Sequence, residues 1–235
     1  MKKHLAFFLI LAVSSFAQEA GYYLEEETTT PPIFGLPGST FISKTWITPE
    51  NYRRDNGDAN QSIYLHTQSA QASIVRHENK TISVMDRETM QGMAMIAVML
   101  FGVEMDSATG LPIIPDPLFI PTNRQRMVGE WNALEYAVQK KNGGRVVFWV
   151  SSDPGVSGRL YSRLLSVMMG DRARQYQKLF DQINQLPGYP VFIETSAFGK
   201  QVLQKLKKID KLQIPDAVFD PPKAYKKIDL TEDEF

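Results

Sequence analysis

One stretch constrains the fold more than any other: residues 187–228, PGYPVFIETSAFGKQVLQKLKKIDKLQIPDAVFDPPKAYKKI. Pro187-Gly188 opens it as a turn, and the β-branched and aromatic residues that follow favour an extended chain. Phe198-Gly199-Lys200 reads as the next turn, because glycine supplies the positive φ of a tight reversal. A second run carries Val202 through Ile214 and stops at Pro215-Asp216. Two such runs around a short glycine turn read as an antiparallel hairpin. The second run is ambiguous taken alone. Val202, Leu206 and Ile209 also have helical spacing, and Gln, Lys and Leu favour helices.

The first third of the chain supplies more strands. Residues 21–30 (GYYLEEETTT) and 40–46 (TFISKTW) are rich in aromatic and Thr residues and flank a Pro- and Gly-containing connection. Residues 52–54, 62–66 and 72–76 read as short extended pieces, set off by turns at Asp55-Asn56-Gly57-Asp58 and Glu78-Asn79-Lys80. Residues 81–85 (TISVM) alternate with period two, as a half-buried strand does. Together they predict an antiparallel meander.

The pattern then changes. Residues 88–101 (ETMQGMAMIAVMLF) are helix formers behind Asp86, a candidate N-cap, and are apolar nearly all round, as a buried helix is. Prolines at 112, 115, 117 and 121 mark residues 110–121 as an irregular loop. Residues 126–139 alternate as one strand, with Leu134, Tyr136 and Val138 on one face. Residues 145–150 (RVVFWV) are apolar on both faces, as in a central strand covered on both sides. Residues 158–185 carry the longest helical pattern, with a stripe of Leu160, Leu164, Val167 and Met168 and a break at Gly170-Asp171.

The 235 residues suit one domain, and 43% hydrophobic content is enough for a substantial core. The N-terminus has a basic Met-Lys-Lys-His start, a short apolar run, and Ser15-Phe16-Ala17, the layout of a cleaved signal peptide over residues 1–17. The expected mature domain is residues 18–228, with an acidic tail at 229–235. There are 26 basic and 26 acidic residues and no cysteine. No bulk charge draws nucleic acid, and there is no disulfide, thiol nucleophile or thiolate metal site. No later apolar run is long enough to span a bilayer. The expected location is therefore periplasmic or secreted.

Chemistry-bearing motifs are sparse. His66 and His77 lack metal-ligand spacing. Residues 55–60 lack the ligand rhythm of a calcium loop. No nucleophile elbow, phosphate loop or dinucleotide fingerprint occurs. The expectation is a protein that is not an enzyme and that uses neither cofactor nor metal. A cluster of methionines (85, 90, 93, 95, 99 and 105) stands out, because flexible thioether side chains suit either a core or a surface that accepts varied apolar partners.

Several short motifs, in order, resemble a known family. They are Trp46-Ile47 with Tyr52-Arg53-Arg54-Asp55, Ser73-Ile74-Val75-Arg76, Ile82-Ser83-Val84-Met85-Asp86, Gly129-Glu130-Trp131 leading to Tyr136, Phe148-Trp149-Val150-Ser151-Ser152-Asp153, Gly188-Tyr189-Pro190-Val191, and Ile214-Pro215-Asp216 with Phe219 and Pro222-Lys223-Ala224-Tyr225. Together they resemble exported bacterial proteins related to lipoprotein carriers of the LolA and LppX kind, with Ala133 at a position where that family usually has Cys. The resemblance implies an α+β fold: a curved antiparallel sheet (an incomplete β-barrel) with two helical segments over its concave face. It implies strand for residues 201–214, with the C-terminal block as the closing edge of the sheet, and it implies no catalytic residue. The implied ligand is a lipid, a lipoprotein acyl chain or another apolar molecule. The candidate lining or lid residues are Trp46, Met90, Met93, Leu100, Leu134, Tyr136, Phe148, Leu160, Leu164 and Met168. The other reading is a cell-envelope scaffold with a packed core, an envelope protein partner and no small ligand.

Overall fold

The computed structural model describes residues 19–32, 37–57, 60–66, 71–86, 89, 103–138, 146–197 and 200–228. The expected signal-peptide segment, the acidic tail and residues 90–100, which include Met90, Met93 and Leu100, lie outside them. The expected helix over 88–101 is therefore met only at its start, where Asp86 Oδ1 accepts the Thr89 backbone N–H at 2.8 Å, as an N-cap does.

Six strands form the expected meander: β1 (Glu19–Thr30), β2 (Ser39–Ile47), β3 (Asn51–Asn56), β4 (Gln61–His66), β5 (Gln71–Arg76) and β6 (Thr81–Asp86). A small hairpin, β7 (Glu104–Met105) with β8 (Pro112–Ile113), precedes β9 (Phe119–Val128), β10 (Trp131–Val138) and β11 (Val146–Ser151). A helical run follows as α1 (Gly158–Met169), a 3₁₀ segment (Gly170–Tyr176) and α2 (Gln177–Asn184). The chain then returns through β12 (Tyr189–Ala197), β13 (Lys200–Ile214), a 3₁₀ turn (Asp216–Phe219) and β14 (Lys226–Ile228).

Among the described residues twelve strands make one open sheet in the order β14-β6-β5-β4-β3-β2-β1-β13-β12-β11-β10-β9. Each neighbouring pair is antiparallel except β14 and β6, which run parallel. The architecture is a mostly antiparallel, open sheet with a helical run, broken at Gly170 as the sequence predicts.

Three expectations are corrected. The C-terminal hairpin does not close the sheet at an edge. β13 lies between β1 and β12 and joins the two halves, because β1 pairs with β2 on one side and β13 on the other. Residues 126–139 do not form one strand. Gly129 takes φ +62° in a two-residue turn that sets Trp131 opposite Val128, so alternation on either side belongs to two strands. Residues 110–121 are not wholly irregular, since Pro112 enters β8 and Pro121 lies in β9. β9 is an edge strand, where a missing N–H costs no ladder bond.

The helical spacing within β13 also has a physical origin. The register against β1 passes from Glu25↔Lys208 to Glu26↔Leu206, so Lys207 is an extra residue. Across that bulge Leu206 and Ile209 keep the same face although three positions separate them, and a strand acquires a helix-like pattern.

The sheet face that carries the helices holds the main core, including Leu24, Ile47, Tyr52, Leu65, Ile74, Val146, Phe148, Val191 and Leu206. Full burial of each such side chain stabilises by about 1.5–3 kcal/mol. α1 rests on it through Leu160 and Tyr161, and α2 through Leu179, Phe180 and Ile183. Gly158 permits the close approach of the two helices, because a Cβ there would stand 2.1 Å from the Ile183 carbonyl oxygen. β11 is buried at every position, as expected for a strand covered on both sides. On the outer face the Arg126 guanidinium lies 3.9 Å from the Trp149 ring centre and covers it.

Candidate functional site

The strand register decides which predicted residues share a face. Leu134 lies opposite Val150, and Tyr136 opposite Phe148. Phe148 is buried on the helix face, with edge-on ring contacts to Phe119 at 5.1 Å and to Tyr161 of α1 at 6.0 Å. Tyr161 continues the row to Tyr189 at 5.8 Å. Leu160 is buried in the same core, while Tyr136, Leu164 and Met168 are half-buried against it and Leu134 is exposed. The structure thus brings Leu134, Tyr136, Phe148, Leu160, Leu164 and Met168 to one side of the sheet.

Trp46 is separated from them. It alternates with Ile47 and Thr45, which face the helices, and so points to the outer face. There it packs on Tyr23 at 5.1 Å and lies under the Arg53 guanidinium at 4.9 Å. Arg53 is held bidentately by Asp55 at 2.8 Å for both bonds, and it donates to the Val218 carbonyl at 3.0 Å. These contacts tie β3 to the C-terminal arm. Further along that arm, Tyr225 packs on Tyr64, Val75 and Ile82, and its hydroxyl lies 3.3 Å from His77 Nδ1. His77 Nε2 in turn lies 2.7 Å from Ser62 Oγ. His77 therefore links a strand to the arm, and His66 lies exposed at the end of β4. A cleft of about 290 Å³, lined by Ser73, Ile82, Pro222 and Tyr225 among others, opens beside this arm on the outer face.

A polar patch that the sequence reading missed lies on the helix face. Glu26 is 5% exposed. Arg54 Nη1 donates to Glu26 Oε2 at 3.0 Å, and Arg54 Nη2 donates to Ser43 Oγ at 2.7 Å. Gln204 Nε2 donates to Glu26 Oε1 at 2.9 Å. Four strands, β1, β2, β3 and β13, meet in these bonds, beside the bulge that breaks the β1–β13 register. Burial pulls the Arg54 pKa down, but the neighbouring Tyr52 and Glu26 outweigh it and hold the guanidinium above its ordinary range. Burial raises Tyr52, Tyr161 and Tyr189, the latter two well above their ordinary value. Around the ion pair, Thr45 Oγ1, Asn56 Oδ1 and Tyr189 Oη are buried with no hydrogen-bond partner.

The signal for this patch was present. Tyr22, Leu24 and Glu26 share one parity in β1, and Tyr52 and Arg54 share one in β3. A charge at an apolar position of each strand is the mark of a buried pair. The patch is nevertheless reachable. Of the pair, Arg54 keeps 29% of its side chain accessible and Glu26 keeps 7%.

Among the described residues no group of three or more His, Cys, Asp or Glu is placed to hold a metal ion, and no helix is long and apolar enough to cross a membrane.

No protein-family model matches the chain, and no curated protein matches it. Solved structures do. An uncharacterized conserved protein from Thermus thermophilus is similar at 5% identity over 91% of each chain, with a TM-score of 0.49. A LolA superfamily protein from Nitrosomonas europaea is similar at 10% identity over 88% of this chain and 92% of that one, with a TM-score of 0.33. The lipoprotein LppX from Mycobacterium tuberculosis is similar at 7% identity over 80% of this chain and 85% of that one, with a TM-score of 0.35. The kinds of protein named by the sequence resemblance, LolA-like and LppX-like, are thus among the solved structures to which the chain is similar.

Proposed function

We propose that the protein is a non-enzymatic, periplasmic binding protein that takes a lipid, an acyl chain or another apolar ligand between the sheet and α1. The observation that carries this reading is the accessible surface that Arg54 keeps on the helix face. Half-buried apolar side chains on the sheet (Tyr22, Ile63, Ile209) and on α1 (Leu164, Val167, Met168) edge the same core. Such a surface binds through the removal of apolar area from water, at about 25 cal/mol per Å², with few polar contacts to fix orientation. The signal-peptide pattern supports the compartment, and the sequence resemblance to lipoprotein carriers implies the same use.

The test is native mass spectrometry of protein purified from the cell envelope, before and after delipidation, together with titration of the uncharged dye N-phenyl-1-naphthylamine. The expected result is a co-purifying lipid that delipidation removes, and dye binding that added lipid reverses. If no lipid co-purifies and the dye neither binds nor is displaced, the reading fails and a packed scaffold takes its place.

A further inference from the structure

We infer that the Glu26–Arg54 pair is a polar subsite that selects an uncharged ester- or hydroxyl-bearing lipid head, such as an acylglycerol, over a free fatty acid. The inference rests on the apolar-ligand reading and adds the chemistry of the head.

The patch carries one acid and one base within 3.0 Å, so it is neutral as built. A lone arginine in an apolar pocket recruits an anionic head. Here that role is already filled from within the chain, because Glu26 Oε2 takes Nη1 and Gln204 holds the other carboxylate oxygen in place. A ligand carboxylate drawn to the same guanidinium would stand beside a buried carboxylate. Like charges in a medium of low dielectric repel far more strongly than in water.

The groups with unused hydrogen-bonding capacity are uncharged. Thr45 and Tyr189 carry hydroxyls that both donate and accept, and Asn56 Oδ1 accepts. Thr45 is opposite Arg54 in the β2–β3 register, and Asn56 is opposite Ser43, so two of the three flank the ion pair directly. Tyr189 lies close enough to feel the charges of both Glu26 and Arg54. Buried polar atoms are almost always paired. Several without partners around one accessible ion pair mark a place where a polar, uncharged group is accommodated. Hydroxyl and ester oxygens satisfy that set without adding charge.

The experiment is competition of 1-monopalmitoylglycerol and palmitate, which share one acyl chain, for the site that binds N-phenyl-1-naphthylamine, at a mildly alkaline pH where palmitate is ionised. The unaltered protein should prefer the glyceride by at least about tenfold. Glu26→Gln leaves the arginine uncompensated and should reverse the order. The double variant Glu26→Gln/Arg54→Gln removes both charges and should bind the two with similar affinity; it serves if the single variant does not fold. Equal binding or a preference for palmitate by the unaltered protein overturns the inference and leaves the apolar-ligand reading standing, as does an unchanged ratio in the folded variants. Absence of dye binding overturns both.

Discussion

Arg54 on β3 and Glu26 on β1 form an ion pair of 3.0 Å across the intervening strand β2. The pair ties together two strands that share no ladder. Breaking it by Arg54→Leu leaves a carboxylate in an apolar surround, and the expected cost is about 3 kcal/mol in a urea titration, the lower end for a buried pair because Arg54 keeps some solvent contact. Arg54→Leu/Glu26→Leu should recover most of that loss. Additive losses in the double-mutant cycle would show that the two side chains do not interact.

Tyr189→Phe should act in the opposite direction. The ring is fully buried and edge-on to Tyr161, but the hydroxyl has no partner. Removing an unsatisfied buried hydroxyl while keeping the ring should leave stability unchanged or raise it by about 1 kcal/mol. If the Glu26–Arg54 patch receives an uncharged lipid head, the same change should weaken glyceride binding. A thermal midpoint well below that of the parent would mean that the hydroxyl is satisfied by a fixed water.

Gly158→Ala tests the joint between the helices. Alanine normally favours a helix over glycine, yet here a Cβ meets the Ile183 carbonyl oxygen at 2.1 Å and its carbonyl carbon at 3.1 Å. Backbone must move, so destabilisation of about 2 kcal/mol is expected, in the range typical of overpacking. A gain in stability would refute the close contact.

The C-terminal arm should be separable from the rest of the fold. Tyr225 covers the small cluster of Tyr64, Val75 and Ile82, apart from the main core, while Arg53 holds the Val218 carbonyl. Tyr225→Ala should speed amide exchange across β14 and leave that of β11 and β12 untouched. Equal acceleration throughout would mean that the arm and the sheet open as one unit.

Alkaline titration reads the buried phenols. Burial raises Tyr52, Tyr161 and Tyr189 above the ordinary value near 10. The folded protein holds those protons more tightly than the unfolded chain does. Stability is therefore full below about pH 10 and falls as pH climbs above it. Absorbance near 295 nm should show the exposed tyrosines ionising first, then a steep step that coincides with loss of the far-ultraviolet circular dichroism signal. A single smooth curve centred near 10 would contradict the burial of these rings.

Much of this architecture was legible in the residues. The turns at residues 77–80 and 153–155, the double-sided burial of β11 and the break at Gly170 all follow from local chemistry that the fold leaves intact. What failed was the reading of parity across irregularities. The two-residue turn at Gly129 falls inside an alternating run and lets two strands pass for one. The extra Lys207 does the reverse, giving Val202, Leu206 and Ile209 of one strand the spacing of a helix. Site residues followed the same logic. Phe148, Tyr136 and Leu134 share one face, as their apolar alternation marks. Trp46 lies with Tyr23 on the other face, which only the register decides, because both neighbours of a half-buried strand position can be apolar. Glu26 and Arg54 were passed over because charged residues in a strand usually face water.

The central position of β13 has a consequence for the order of events as the chain is made. β1 appears first and can pair at once with β2, yet its other edge has no partner until β13 arrives, from near the far end of the sequence. Until then a twelve-residue strand bearing Leu24 and Glu26 stays open along one side. Bringing together segments so far apart in the chain slows folding. An open edge of that length invites pairing with other chains. The protein should therefore be most vulnerable to aggregation in the interval before its last quarter is made, and holding that single seam is the task a chaperone would have.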